Sequence, residues 1–568
     1  MSQRVVIIGA VALGPKAACR FKRLEPDSEV IMIDENEIIS YGGCGIPYYV
    51  SGDVSEAKEL QSTTFHMIRD EFFFREAKGV QVRTRTRALS IDPSAKQVLV
   101  LDLEKNHKYL LHYDKLVLST GSRPWKPRLP GVNLPGVYAI SGLEEAMQLK
   151  EQISMGSVGK AVIVGAGLIG LEMSEALTDL WGIETSVVEI APQVLPGFVS
   201  PDMARMAQNI LEANNVLLYT GEQVLEIQGS EKVQRVKTSQ RVLEADMVIL
   251  AAGVRPNSEL AREAGLEISP HGAIVVDKQM RTSDKNIFAG GDCVQIENLV
   301  TGRPGYFPMG SMANRQGRVI GTNLAGGADE FPGAAGSFVV KIFDHALAGT
   351  GLSPETARKE GFHAFSAYVA QYDKSHFYPE KDLLYLELVV EHRTGRILGL
   401  QGLSTGGDSL KGRIDAVAAI LPSKPATMDL SNLEVAYSPP FGSAMDALNN
   451  LGHVAENMLL GRNRGIGPGE FAGIWQERDK RDVVVMDCRG MDNAYPLVEK
   501  YPEKWQHVQS ETLEANLDKV PRAGTLILVC NNGGRSYEAQ LKLAKIGITS
   551  TLNLHGGMAM LKKWGLDI

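Results

Sequence analysis

The strongest constraint on what this chain folds into is one design used twice: an apolar strand, a glycine turn, a helix and a second strand ending on a carboxylate. In the second copy Ala161 to Val164 run into Gly165, Gly167 and Gly170, a helix is expected to continue past Leu180, and the strand Thr185 to Glu189 returns. The spacing is G-x-G-x-x-G between strand and helix, with the acid about twenty residues further on. Glycines there let the backbone approach a pyrophosphate at a helix N-terminus, and the carboxylate accepts hydrogen bonds from a ribose diol. Glu189 would repel a 2′-phosphate, so NADH suits this turn better than NADPH. The first copy is less regular. Val5 to Ile8 lead to Gly9 and Gly14, but Val11 stands in the middle position. A helix through Leu24 and a strand from Glu29 to Ile33 follow, and Asp34 is placed to hold a second ribose. Taken alone, this turn also reads as an ordinary tight connection.

At 568 residues the chain exceeds a single hydrophobic core and predicts about three to five domains. No apolar run approaches the roughly 20 residues that span a bilayer, so no membrane association is expected. The N-terminus carries only Arg4 before the first strand, unlike a secretory signal, and a cytoplasmic location is expected. A net charge of -8 gives no reason to expect nucleic acid as a partner. The 5 cysteines, Cys19, Cys44, Cys293, Cys488 and Cys530, are scattered without C-x-x-C spacing. That argues against a disulfide framework or a metal site, and for reduced thiols.

After residues 286–292 the character of the sequence changes. Phe338 to Phe343 and Leu383 to His392 are rich in β-branched and aromatic residues, and helical sequence begins at Leu410, which together predict a separate α+β domain. Gly461 to Gly469 contain four glycines, a proline and two arginines and read as a linker. The remaining residues form another α/β unit, with strands near Val483 to Met486 and Thr525 to Val529.

Around the two turns stand Ser119-Thr120-Gly121, Ala251-Ala252-Gly253 and, behind Ile287-Phe288, Ala289-Gly290-Gly291-Asp292. In this order they resemble the pyridine nucleotide-disulfide oxidoreductases, the family that includes glutathione reductase and the NADH peroxidases. The resemblance runs to about residue 455. It implies FAD on the first turn, held by Gly9, Gly14, Asp34, Thr120, Gly121 and Asp292, the last on the flavin ribitol. It also implies NAD(P)H on the second turn, held by Gly165, Gly167, Gly170 and Glu189.

Dithiol members of that family carry two cysteines a few residues apart, whereas Cys44 has no near neighbour. The segment Ser40-Tyr41-Gly42-Gly43-Cys44-Gly45-Ile46-Pro47-Tyr48 resembles the S-x-x-x-C-x-x-P-Y of coenzyme A-disulfide reductases and their single-cysteine relatives. A thiol with a pKa of about 8.5 is only a few per cent thiolate near neutrality, so a nucleophilic Cys44 calls for a helix N-terminus or a cation to lower that value. Pro47 suits the first turn of such a helix. Peroxidase-type members carry a histidine in the first glycine turn, where this chain has Ala12. By the same resemblance Arg23 and Ser40 would contact coenzyme A, although Arg23 also reads as a basic residue complementing a helix C-terminus. Tyr437-Ser438-Pro439-Pro440-Phe441 resembles the dimerisation segment of these reductases, with Tyr378 as the companion tyrosine; both tyrosines also read as core aromatics. A homodimer is implied by the resemblance alone. Cys19 and Cys293 read as packing residues.

Near the C-terminus the strand Thr525 to Val529 is followed by Cys530-Asn531-Asn532-Gly533-Gly534-Arg535-Ser536 and a helix. Successive N–H groups in such a loop converge on one anionic sulfur, and the helix adds positive potential. The loop resembles the active-site loop of rhodaneses, with Cys530 as sulfur carrier and Arg535 closing it. Asp487 with Arg489, Gly556-Gly557 and Trp564 resemble further rhodanese landmarks, and Cys488 reads as core.

The expectation is therefore an α/β chain of two Rossmann-like dinucleotide-binding domains, an α+β dimerisation domain and a C-terminal rhodanese domain. The bounds expected are 1-119 with 253-327 for FAD, 120-252 for NAD(P)H, 328-455 for dimerisation, 456-469 as linker and 470-568 for the rhodanese. With FAD, NADH or NADPH, and coenzyme A, the chain would reduce CoA persulfide, CoA disulfide or polysulfide through Cys44, while Cys530 relays sulfane sulfur. The rivals are an NADH oxidase or peroxidase with an appended sulfurtransferase domain, and a sulfur-binding redox sensor.

Overall fold

The computed structural model describes residues 3–568. They divide into two compact units: the chain to Pro192 with Asn215–Ala334, and Gln193–Asn214 with Ala335–Ile568.

The first unit holds both glycine turns, each at the centre of its own five-stranded parallel sheet. One sheet runs in the order Ile287–Ala289, Lys115–Leu118, Arg4–Ile8, Glu29–Ile33, Gln81–Arg83. The other runs Leu217–Thr220, Glu184–Glu189, Lys160–Val164, Met247–Leu250, Val137–Tyr138. The central strands are covered on both faces, which is why they read as unbroken apolar runs instead of alternating ones. The second helix, expected to pass Leu180, ends at Thr178. Gly182 turns left-handed and the amide of Ile183 bonds Leu177 O at 3.1 Å, which closes the helix end. The helix Gly310–Leu324 lies tightly on Leu13–Leu24, because a Cβ on Gly317 would come within 2.8 Å of Leu13 O. That packing sets where the N-terminus of the longer helix points.

In the second unit an antiparallel sheet, in the order Phe338–Ile342, His345–Gly351, Ile397–Ser404, Leu383–Glu391, Ala364–Tyr372, is accompanied by the helices Gly407–Ile420 and Ala447–Leu459. This is the expected α+β arrangement. The C-terminal residues form a parallel sheet ordered Gly465–Ile466, Thr551–Leu554, Thr525–Val529, Val483–Asp487, Trp505–His507. Part of the stretch read as a linker is thus an edge strand. Gly465 and Ile466 pair with Asn553 and Leu554, and the amide of Arg464 donates to Gln540 Oε1 at 3.0 Å. Glycine-rich composition gave no sign of partners so far along the chain.

Asp202, in the helix Pro201–Ala213, fastens the C-terminal sheet domain to its neighbours within this unit. Its Oδ1 accepts from Trp564 Nε1 at 2.8 Å and from the Gly469 amide at 3.0 Å, and its Oδ2 accepts from Tyr368 Oη at 2.8 Å. Asn209 Nδ2 adds a bond to Trp564 O at 2.7 Å. Beside them Glu387 is fully buried; the hydroxyls of Ser200 and Ser366 donate to it, and burial together with the nearby Asp202 holds its carboxyl up at about 7.

Candidate active site

The two glycine turns share their backbone geometry and their carboxylate brace, although Val11 stands in the first where Gly167 stands in the second. Gly9 and Gly165 adopt φ of 105° and 107°, in the left-handed region open to glycine. Their amides bond back to Ile33 O at 2.9 Å and Val188 O at 2.8 Å. A Cβ on Gly14 would stand 2.0 Å from Gly9 O, and one on Gly170 2.0 Å from Gly165 O, so each helix can start tight against its turn only with glycine there. Asp34 Oδ2 accepts from the Ala10 amide at 2.8 Å, and Glu189 Oε2 accepts from the Ala166 amide at 2.8 Å. Each acid therefore braces its own turn, and burial raises the Asp34 carboxyl against the bonds from Asn36 and Ala10 that lower it. Gly167, the middle glycine, has no atom within 4 Å of where a Cβ would sit, so the space over the second turn is open. The clear approach to the second turn and the matching brace at the first fit two dinucleotides.

The small-residue segments join the two halves of this unit. Asn257 Nδ2 donates to Thr120 O at 2.9 Å, Thr120 Oγ1 donates to Asn257 O at 2.5 Å, and Ser122–Pro124 pairs antiparallel with Val254–Pro256. Ser122 Oγ donates to Asp292 Oδ2 at 3.2 Å, and Tyr306 Oη donates to Asp292 O at 2.8 Å. Burial raises the Asp292 carboxyl. Cys293, by contrast, is fully buried with its Sγ 3.2 Å from Gly290 O, and Cys19 is half-buried on the first helix.

Cys44 is exposed and sits in a short 3-10 turn, Gly43–Gly45, that runs into the helix Ile46–Ser51 with Pro47 in its first turn. Its sulfur also accepts from the amide of Gly310, the first residue of the long helix Gly310–Leu324. Both helix starts favour a thiolate. The expectation of a depressed thiol pKa is nevertheless not met. Partial burial raises the Cys44 thiol first, then the facing carboxyl of Glu172, and Asp292 adds to them against the Gly310 bond.

Glu172 is the functional candidate that sequence reasoning missed. It lies on Leu168–Thr178, the helix that opens at the second glycine turn. Burial and the neighbouring Glu175 hold its carboxyl up at about 7, while a hydrogen bond with Tyr48 pulls the other way. Burial and Glu172 push the Tyr48 phenol up to about 12, so that group stays a donor. Trp181 Nε1 bonds Val50 O at 2.8 Å, pinning the end of this helix to the one that follows Cys44. An acid one turn into a helix carries no motif; the available signal was only its place on the face toward Tyr48.

The residues expected to meet coenzyme A are presented differently. Arg23 is exposed at the end of Leu13–Leu24. Ser40 is buried with φ of 51°, and its amide bonds Ala10 O at 2.9 Å. The two tyrosine segments come together in the second unit: Ser375 Oγ donates to Gly442 O at 3.1 Å and Ser443 Oγ to Lys374 O at 3.1 Å. Tyr437, Phe377 and Phe441 are exposed there, and Tyr378 is partly exposed with Lys374 over its ring. Neither tyrosine is a core residue.

In the C-terminal domain Cys530 is buried at the base of its loop, where its sulfur accepts from the Gly533 amide at 3.1 Å and from Ser536 Oγ at 3.3 Å. Met558 N and Ala559 N, just after Gly556 and Gly557, bond Cys530 O and Asn531 O at 2.9 Å each. Arg535 Nη1 lies 3.3 Å from Glu511 Oε1. Arg489 grips Asp487 through Nε at 2.9 Å and Nη2 at 2.7 Å, and Trp505 Nε1 caps the same carboxylate at 3.0 Å. Trp564 serves the Asp202 junction and not the sulfur loop.

Residues 3–314 match the pyridine nucleotide-disulphide oxidoreductase family, and residues 337–448 match its dimerisation domain. A protein named NADH oxidase from Methanocaldococcus jannaschii is 33% identical over 446 residues, covering 78% of this chain and 97% of that one. One named NAD(P)H sulfur oxidoreductase (CoA-dependent), from Pyrococcus abyssi, is 34% identical over 454 residues, covering 80% and 98%. The solved structure of an NAD-dependent persulfide reductase from A. fulgidus superposes with a TM-score of 0.92 at 36% identity, covering 98% of this chain and 99% of that one. FAD and NAD(P)H are the cofactors expected in this family. Among the described residues no helix is long and apolar enough to cross a membrane. The exposed Cys44 and the two matched glycine turns agree with these likenesses, and the chain belongs to the pyridine nucleotide-disulphide oxidoreductase family.

Proposed function

We propose that this chain reduces CoA persulfide, CoA disulfide or polysulfide with electrons from NAD(P)H, using Cys44 as its only redox cysteine at that site, and that it acts as a homodimer. The observation that carries the reading is the exposure of Cys44, with the Gly310 amide donating to its sulfur and no second cysteine beside it in the sequence. Gly9, Gly14 and Asp34 would hold FAD and Gly165, Gly167, Gly170 and Glu189 would hold NAD(P)H, and FAD there would supply the route by which the nicotinamide's electron pair reaches sulfur. Cys44 as thiolate attacks the CoA-bound sulfur, hydrosulfide leaves from CoA persulfide or CoA thiolate from CoA disulfide, and CoA stays on the protein as a mixed disulfide whose two-electron reduction restores the thiolate. From polysulfide a shorter polysulfide leaves, and Cys44 is left as a persulfide reduced in the same way. Glu172, raised by burial and Glu175 to about 7, exchanges its proton near neutrality beside that sulfur. Asp34 and Glu189 brace the turns and would hold the riboses, Asp292 would hold the flavin ribitol, and Arg23 with Ser40 would contact CoA. Tyr378 and Tyr437 belong to the dimer face. Residues 470-568 act as a rhodanese domain in which Cys530, with Arg535, carries sulfane sulfur; the FAD part spans 1-119 and 253-327, the NAD(P)H part 120-252 and the dimerisation part 328-455.

Cys44→Ser should keep its flavin and lose reductase turnover on CoA persulfide by at least about 100-fold; full activity in that variant would refute the reading. Cys530→Ser should impair turnover with a sulfane donor and spare CoA disulfide. A second reading, an NADH oxidase, is favoured by the name of the Methanocaldococcus jannaschii relative. Ala12, standing where a peroxide-handling histidine would be, speaks against it. Oxygen uptake exceeding persulfide turnover would decide for the oxidase.

A further inference from the structure

Cys488 stands directly opposite the sulfur-loop cysteine. The strands Val483–Asp487 and Thr525–Val529 are parallel neighbours in the register Asp487↔Val529, so the next residue on each is Cys488 and Cys530. The Cys488 amide continues the ladder, donating to Val529 O at 2.8 Å. Side chains at matched positions of parallel strands leave the same face of the sheet. Here Met486, Cys488, Leu526, Leu528 and Cys530 share one buried cluster, while Val483, Val485, Ile527 and Val529 belong to the cluster on the other face. Neighbouring strands run about 4.8 Å apart, inside the roughly 4.4–6.8 Å between Cα atoms that a disulfide bridges. Both thiols are free and fully buried.

We propose that Cys488 is a resolving thiol for Cys530, which discharges a persulfidated Cys530 by forming an intrachain disulfide. This rests on the reading of Cys530 as a sulfane carrier. Cys488 sulfur attacks the inner sulfur of the Cys530 persulfide; the Cys488–Cys530 bond forms and the bond to the terminal sulfur breaks. That terminal sulfur leaves with the electron pair as hydrosulfide and takes the proton Cys488 gives up, so one persulfide and one thiol become one disulfide and one hydrogen sulfide. The terminal sulfur is reduced by the level that Cys488 is oxidised. Two equivalents of a low-molecular-weight thiol of the coenzyme A class reopen the bridge, and their own disulfide is a substrate of the kind proposed for Cys44. Burial, then the facing Cys530 and Asp487, push the Cys488 thiol well up, with Arg535 opposing them. A thiol so rarely ionised attacks slowly, so an external acceptor takes the sulfur first and resolution follows only when none arrives.

The test uses the full chain with thiosulfate, without NAD(P)H or added thiol. Loading of Cys530 releases sulfite, and resolution releases sulfide, so the two steps read separately. The expected result is sulfide equal to the sulfite, and a peptide linking Cys488 to Cys530 after alkylation. In Cys488→Ala and Cys488→Val sulfite should still appear, sulfide should be lost, and the persulfide should persist on Cys530. Sulfite without sulfide from the unaltered chain, with a lasting persulfide and no linked peptide, overturns the proposal. If no sulfite appears, the carrier reading is what failed, and diamide decides the pair: a Cys488–Cys530 link supports a resolving role, and its absence overturns it.

Discussion

Glu172 is partly ionised near neutrality because its helix buries it beside Glu175, and each increment of ionisation places more negative charge before Cys44. Glu172→Gln removes that charge without removing the hydrogen bond capacity toward Tyr48. The variant should alkylate at Cys44 with iodoacetamide severalfold faster at pH 7.5, because a thiol that no longer faces this carboxylate ionises more readily. An unchanged rate would clear Glu172 of influence on the thiol. The same group shapes stability. Its carboxyl titrates at about 7 in the fold against an ordinary 4.5, so the folded chain binds the proton more tightly. Stability is therefore full below about pH 4.5 and falls as pH rises to about 7, by roughly 3 kcal/mol for this group. Thermal unfolding of Glu172→Gln should show a gain at pH 8 and little change at pH 4. None of this was legible at position 172, since what raises the acid is its burial in the fold beside Glu175, against a bond from Tyr48 more than a hundred positions earlier in the chain.

The glycine turns divide their glycines into those that let the chain close and one that leaves room for a ligand. Gly14→Ala sets a Cβ 2.0 Å from Gly9 O and should yield protein that has lost most of its flavin absorbance. Gly167→Ala meets nothing within 4 Å, so the variant should fold and keep flavin while its KM for the nicotinamide nucleotide rises. Equal loss of flavin in both would show that the turns do not act separately. These elements were the most readable part of the chain. The strands Glu29–Ile33 and Thr525–Val529 have the bounds their apolar runs indicate. Val11 cost the first turn little legibility, because Gly9 and Gly14 hold the geometry and the middle position does not. The edge strand Gly465–Ile466 was hidden for the opposite reason: two residues have no period, and their pairing partners lie at Asn553 and Leu554.

Across the second unit, one carboxylate gathers elements that are remote in sequence. Asp202 joins Tyr368, Gly469 and Trp564, and burial raises its carboxyl against those three bonds. Asp202→Asn and Trp564→Phe each delete a charge-assisted bond from this cluster, at a cost of about 1.5–3 kcal/mol. Both variants should speed hydrogen exchange and proteolytic nicking across residues 461–469, and protection equal to that of the unaltered chain would show the cluster to be incidental. Trp564 was singled out from the sequence as a landmark of the sulfur domain, but its partner was not, because Asp202 follows a helix cap in a different part of the chain.

On the proposal that Cys530 carries sulfane sulfur, the Asp202 cluster also bears on how that cargo is exchanged. A domain fastened at its first helix and its last cannot swing like a carrier arm on a tether, so any acceptor must travel to the loop instead. Stretching residues 461–464 with added glycine and serine should then leave the delivery rate untouched, whereas raising the concentration of a diffusible thiol should raise it in proportion.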